Sequence, residues 1–80
     1  MDIDIEKNIE LRVLLLGIYK RADDESLTDV LKTMDNSRVF SLKQGKKYLK
    51  GLKSLDYIAN DSLTMMGIEK AKEIELEFRL

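Results

Sequence analysis

The chain of 80 residues contains no cysteine, no histidine and no proline, and each absence removes a class of explanation. Without cysteine there is neither a disulfide framework nor a thiolate metal site. Without histidine the commonest general base and the commonest metal ligand are missing. The lack of proline suits a mostly helical chain with tight connections. Glycine occurs only as Gly17, Gly45, Gly51 and Gly67, scattered through helical stretches, so no glycine-rich phosphate loop exists. The longest apolar run, Val13 to Ile18, falls far short of the roughly 20 residues a membrane span needs. Any catalysis would rest on carboxylates or lysines, and no pattern brings a pair of them into a buried pocket. The expectation is therefore a non-enzyme without cofactor or metal. The acidic start, MDIDIEKN, is the reverse of a secretory n-region and points to a cytoplasmic protein.

What is present is an uneven distribution of charge. The chain is 44% hydrophobic and 36% charged, with a net charge of −1, the composition of one small globular domain over residues 1–80. From Asn36 to Leu55 it carries Arg38 and five lysines and no acid, while all fifteen acidic residues lie elsewhere. Wound as a helix, Ser41 to Leu55 gathers Leu42, Gly45, Tyr48, Leu49, Leu52 and Leu55 on one side. Lys43, Lys46, Lys47, Lys50 and Ser54 gather on the other, with Lys53 at the border. Ser41 and Gln44 have the spacing of a capping box. The result is a helix with an apolar face for a core and an ammonium face for a polyanion, nucleic acid above all.

The other elements follow from local signals. Met1 to Ile5 reads as a short strand or a frayed helix start. Glu6 to Lys20 reads as a helix with two apolar arcs, Leu11/Leu14/Leu15/Ile18 and Ile5/Ile9/Val13/Leu16, both of which need cover. Cover comes either from the rest of the chain or from a second subunit. Asp23, Asp24 and Glu25 read as carboxylates favouring the start of the next helix rather than as a metal site. Ser26 caps that helix with Asp29 at the third position, and Leu27, Val30, Leu31 and Met34 form its buried stripe. Asp35-Asn36-Ser37 is turn chemistry, and Val39 and Phe40 form an apolar hook. After the basic helix, Asp56 suits a left-handed position. Tyr57 to Ala59 and Ser62 to Thr64 read as strands around the tight turn Asn60-Asp61. Thr64 caps a last helix whose inward face would be Met65, Ile68, Ala71, Ile74 and Phe78. Residues 73–80 alternate as a strand would, but the helix formers of 67–75 favour helix.

The succession Leu52, Leu55, Tyr57-Ile58, a turn, then Leu63-Thr64-Met65-Met66-Gly67 resembles part of the winged helix-turn-helix domains of small MarR/PadR-like bacterial and phage regulators. The likeness covers Ser41 to Ala71 by motif and the rest by helix order. It implies a mainly α fold with a small β-hairpin: a three-helix core, a short wing and a C-terminal helix. It also implies that helix 41–55 enters the major groove of duplex DNA with Lys43, Gln44, Lys46, Lys47, Lys50 and Ser54, Lys53 standing beside them. Two departures stand out. The wing tip carries Asp61 where such wings usually carry a base, and no strand is visible between the first two helices. Helix 41–55 would then carry most of the binding.

The residues themselves add roles. Lysines bind phosphate, which positions without specifying sequence. Gln44 is the best reader of a base edge, and Arg38 can clamp a phosphate from the turn. The expected function is sequence-specific DNA binding by a small transcriptional regulator. The competing reading is a winged-helix protein–protein module, of a phage or plasmid adaptor or inhibitor kind, whose lysine face meets an acidic partner. A homodimer is expected through Ile5, Ile9, Val13, Leu16, Leu76 and Leu80, which a chain this short would otherwise leave wet.

Overall fold

Side-chain oxygens decide where the helices begin. The computed structural model describes residues 4–79. Within them the order is α1 (Ile9–Tyr19), α2 (Leu27–Asn36), α3 (Leu42–Ser54), β1 (Ile58–Ala59), β2 (Ser62–Leu63) and α4 (Met65–Glu77). Asn8, Ser26, Ser41 and Thr64 each accept a hydrogen bond from a backbone N–H three residues on, at Leu11, Asp29, Gln44 and Gly67. Each bond satisfies one of the donors a helix start leaves open. At Ser26 the box is reciprocal, because the Asp29 carboxylate accepts from the Ser26 N–H. At Ser41 only the hydroxyl half of the box forms among the described residues.

Two helix ends share one device. The N–H of Arg38 bonds to the carbonyl of Asp35 at 3.0 Å and that of Val39 to Met34 at 2.9 Å, with Arg38 at φ 60°. The N–H of Asp56 bonds to Lys53 at 3.1 Å and that of Tyr57 to Leu52 at 3.0 Å, with Asp56 at φ 65°. Both are Schellman endings with a left-handed residue after the helix. The hairpin pairs Ile58 with Leu63 and Ala59 with Ser62, antiparallel. Its tip residues Asn60 and Asp61 have φ of 53° and 60°, as a two-residue type I′ turn demands. Thr64 closes the base of the hairpin: its hydroxyl donates to the carbonyl of Asp56 at 2.6 Å while accepting from Gly67.

The core is one cluster around α1, which touches α2, α3 and α4. Leu11, Leu14, Leu15 and Ile18 of α1 meet Leu27, Val30 and Leu31 of α2, Phe40, Tyr48 and Leu52 around α3, Ile58 of β1, and Ala71 and Ile74 of α4. Each leucine fully withdrawn from water contributes about 2 kcal/mol. The chain is thus mainly α with a small antiparallel hairpin, and no helix among the described residues is long and apolar enough to cross a membrane.

Two local expectations are corrected, and a third falls largely on residues that are not described. The first helix starts at Ile9, not Glu6, because Asn8 caps it while residues 5–7 form a turn closed by the Lys7 N–H on the Asp4 carbonyl. The strand reading of residues 1–5 lies largely outside the described residues. The inward face of α4 includes Ala71 and Ile74, as expected, together with Gly67, and Ile68 is half-buried, but Met65 at 77% and Phe78 at 42% are exposed. Gly67 lies against the Tyr57 backbone at the base of the hairpin, so it is Gly67, and not Met65, that packs inward in the first turn.

Candidate nucleic-acid interface

α3 is fixed to the body of the protein by its apolar side. Gly45 lies so close to Phe40 and Leu31 that an added Cβ would come within 2.8 Å of the Phe40 ring and 2.9 Å of Leu31 Cδ2. Phe40 in turn stands edge-on to Tyr48, with ring centroids 5.4 Å apart and planes at 74°. Tyr48, expected in the core rather than as a stacking platform, is buried, and its hydroxyl donates to the carboxylate of Glu10 on α1. Leu52 is fully buried. These contacts fix which side of α3 faces the core.

The opposite side carries the charge. Lys43, Lys46, Lys47, Lys50, Lys53 and Ser54 are all exposed, and Gln44 is half-buried at the start of the helix. Lys43 and Lys53 lie ten residues apart, about 15 Å along the axis. Lys53, expected at the border, is as open as the others, and its place in the last turn suits the helix dipole. Arg38 is exposed just before α3, held by its left-handed backbone in the α2–α3 turn.

Among the described residues none of these cations pairs with a carboxylate. The fold's ion pairs lie elsewhere: Arg12 with Glu6 and Glu77, Lys20 with Glu75, and Lys70 with Glu6 and Glu73. Charges paired in that way spend their field locally, whereas an unpaired row projects it into solvent. Sequence reasoning did not find this second network, because it joins residues 6 and 12 to residues 70–77. Glu6, Glu73 and Glu77 come within 4.8 Å of one another, but Lys70 and Arg12 already pair with them, so the group is a set of ion pairs.

The residues expected at a subunit interface separate. Ile5 belongs to the core at 5% exposure, because the turn at residues 5–7 folds it inward under Glu6. Val13 and Leu16 are half-buried, Leu16 against the core. Ile9 at 60% and Leu76 at 65% stay open, and Leu80 lies outside the described residues. Phe78, not among the expected set, adds a ring packed beneath the Arg12 guanidinium at 5.9 Å. Met65 and Met66 are exposed at the start of α4.

The hairpin contributes an acid, not a base, at its tip. The connection after α1 contains no strand, and Arg21 reaches across it instead, donating from Nη2 to the carbonyl of Asp61 at 3.4 Å. No family model matches this chain, and neither the curated proteins nor the solved structures contain a match.

Proposed function

We propose that the protein binds duplex DNA through the lysine face of α3 and acts as a small cytoplasmic transcriptional regulator of the winged helix-turn-helix kind, without catalytic activity. The observation that carries this reading is the row of five exposed lysines on one helix with no carboxylate partner among the described residues, while Arg12, Lys20 and Lys70 are paired. The order α2, turn, α3, hairpin supports it, since that order presents the second helix of the pair outward. Lys43, Lys46, Lys47, Lys50 and Lys53 take phosphates, joined by Arg38 from the turn. Gln44 and Ser54 are the side chains able to read base edges. A homodimer joined through Ile9, Leu76 and Phe78 would cover the exposed apolar positions and offer two copies of α3 to the duplex.

One feature favours a second reading. Asp61 at the hairpin tip repels phosphate, so an acidic protein surface is the alternative partner for the lysine face. Fluorescence anisotropy with a random duplex, an operator-length segment from upstream of the gene and an acidic peptide separates the two. Neutralising six phosphates gives a slope of log affinity against log salt of roughly −5. Lys47→Glu with Lys50→Glu should reduce duplex binding at least tenfold with an unchanged circular dichroism spectrum. Duplex binding equal to that of the parent would remove α3 from the reading.

A further inference from the structure

A groove of about 380 Å³ lies between the end of α1, the connection that follows it, the hairpin and the start of α4. Its volume falls within the range of small-molecule sites, roughly 300–1,000 Å³. Ile18, Leu63 and Ile68 supply apolar wall, and Tyr19 an aromatic one. Arg21 and Asp23, two residues apart, bring opposite charges to the same groove.

Neither charge is used up by the fold. Arg21 Nη2 makes only the long bond of 3.4 Å to the Asp61 carbonyl, and Nη1, closed off from water, has no hydrogen-bond partner among the described residues. A guanidinium offers a fork of donors matched to a carboxylate, and a buried donor left without a partner is costly. Asp23 is exposed and pairs with no cation among the described residues. Ser62, whose hydroxyl donates to the Ala59 carbonyl at 3.3 Å, keeps lone pairs for a donor in the groove.

A cation, an anion and an apolar wall in one groove match a molecule that carries a carboxylate, an ammonium and an apolar group on a short frame. We propose that this groove binds an apolar α-amino acid, its carboxylate on Arg21, its ammonium on Asp23 and its side chain against Ile18, Leu63, Ile68 and Tyr19. The site uses none of the α3 lysines and stands apart from the DNA reading.

Titration of the ¹⁵N-labelled protein with L-phenylalanine and with L-leucine tests it, read by amide shifts. Saturable shifts confined to residues 18–23 and 62–68, complete below about 10 mM ligand, are the expected result. Phenethylamine and 3-phenylpropanoate each lack one charge and should bind at least tenfold more weakly. Arg21→Met should abolish the shifts while leaving the rest of the spectrum in place. If that variant fails to fold, the two one-charge analogues decide the matter. Absence of saturation, shifts outside the groove, or equal affinity for the one-charge analogues would overturn the proposal.

Discussion

Gly67 on α4 lies directly on the carbonyl of Tyr57, so closely that a Cβ added to the glycine would come within 2.1 Å of that oxygen. The same oxygen accepts the N–H of Thr64 at 3.0 Å and cannot retreat without opening the base of the hairpin. Gly67→Ala should therefore destabilise the protein by about 3 kcal/mol, despite alanine being the better helix former. In a domain of this size that is a fall of roughly 12–24 °C in melting temperature, measurable by circular dichroism. Gly45→Ala meets side chains instead of backbone, and regains about 1 kcal/mol of helix propensity, so its loss should be smaller. A Gly67→Ala protein as stable as the parent would mean that α4 does not approach the hairpin so closely.

The two left-handed residues that end α2 and α3 are not glycine. Arg38 at φ 60° and Asp56 at φ 65° each hold a conformation that costs a side-chain-bearing residue energy. Asp56 adds a negative charge next to the negative end of the α3 dipole. Asp56→Gly should raise stability by about 1 kcal/mol, or roughly 4–8 °C, in thermal unfolding. Arg38→Gly relieves the same strain but removes a cation from the proposed DNA face. It should melt higher and bind duplex more weakly, a pairing of effects that a purely structural arginine would not produce.

Stability should fall at both ends of the pH scale, for separate reasons. The Ser26 N–H, then its hydroxyl, hold the Asp29 carboxyl below its ordinary value, with Lys32 adding to the effect. The Lys20 ammonium does the same for Glu75. Groups lowered on folding stabilise above their unfolded values, and that contribution disappears as pH falls below about 4. Lys70 is raised, chiefly by its bond to Glu6 and against the opposing effect of burial. Its contribution is complete below the ordinary lysine value and disappears as pH rises beyond about 10.5. Urea midpoints measured across pH check this. Asp29→Asn should flatten part of the acid limb and leave the alkaline one, and Lys70→Met the reverse.

Local chemistry made much of this protein legible in its sequence. Ser26, Ser41 and Thr64 cap helices because a hydroxyl needs only the N–H three residues on. Asp56 and the pair Asn60-Asp61 adopt left-handed backbones because short polar side chains tolerate them, whatever surrounds them. The lysine row of α3 was legible for the same reason: 100° per residue separates it from Tyr48 and Leu52 before anything is packed. The tail alternates with strand period yet is helical to Glu77, its helix formers continuing the turns begun at Thr64.

Tertiary packing decided the rest. Nothing near Gly67 in the chain announces that the Tyr57 carbonyl will rest on it, and with Gly67 in that place Met65 is left in water. Ile5 reads as one more residue of an outer stripe until the turn before α1 folds it into the core. The tie from Arg21 to Asp61 spans forty residues, and that from Glu6 to Lys70 sixty-four. Periodicity and caps act within a turn or two of helix, so they place each element and choose its faces. Which face meets which neighbour, and which charges are left without a partner, depends on contacts between distant segments that form only when the core closes.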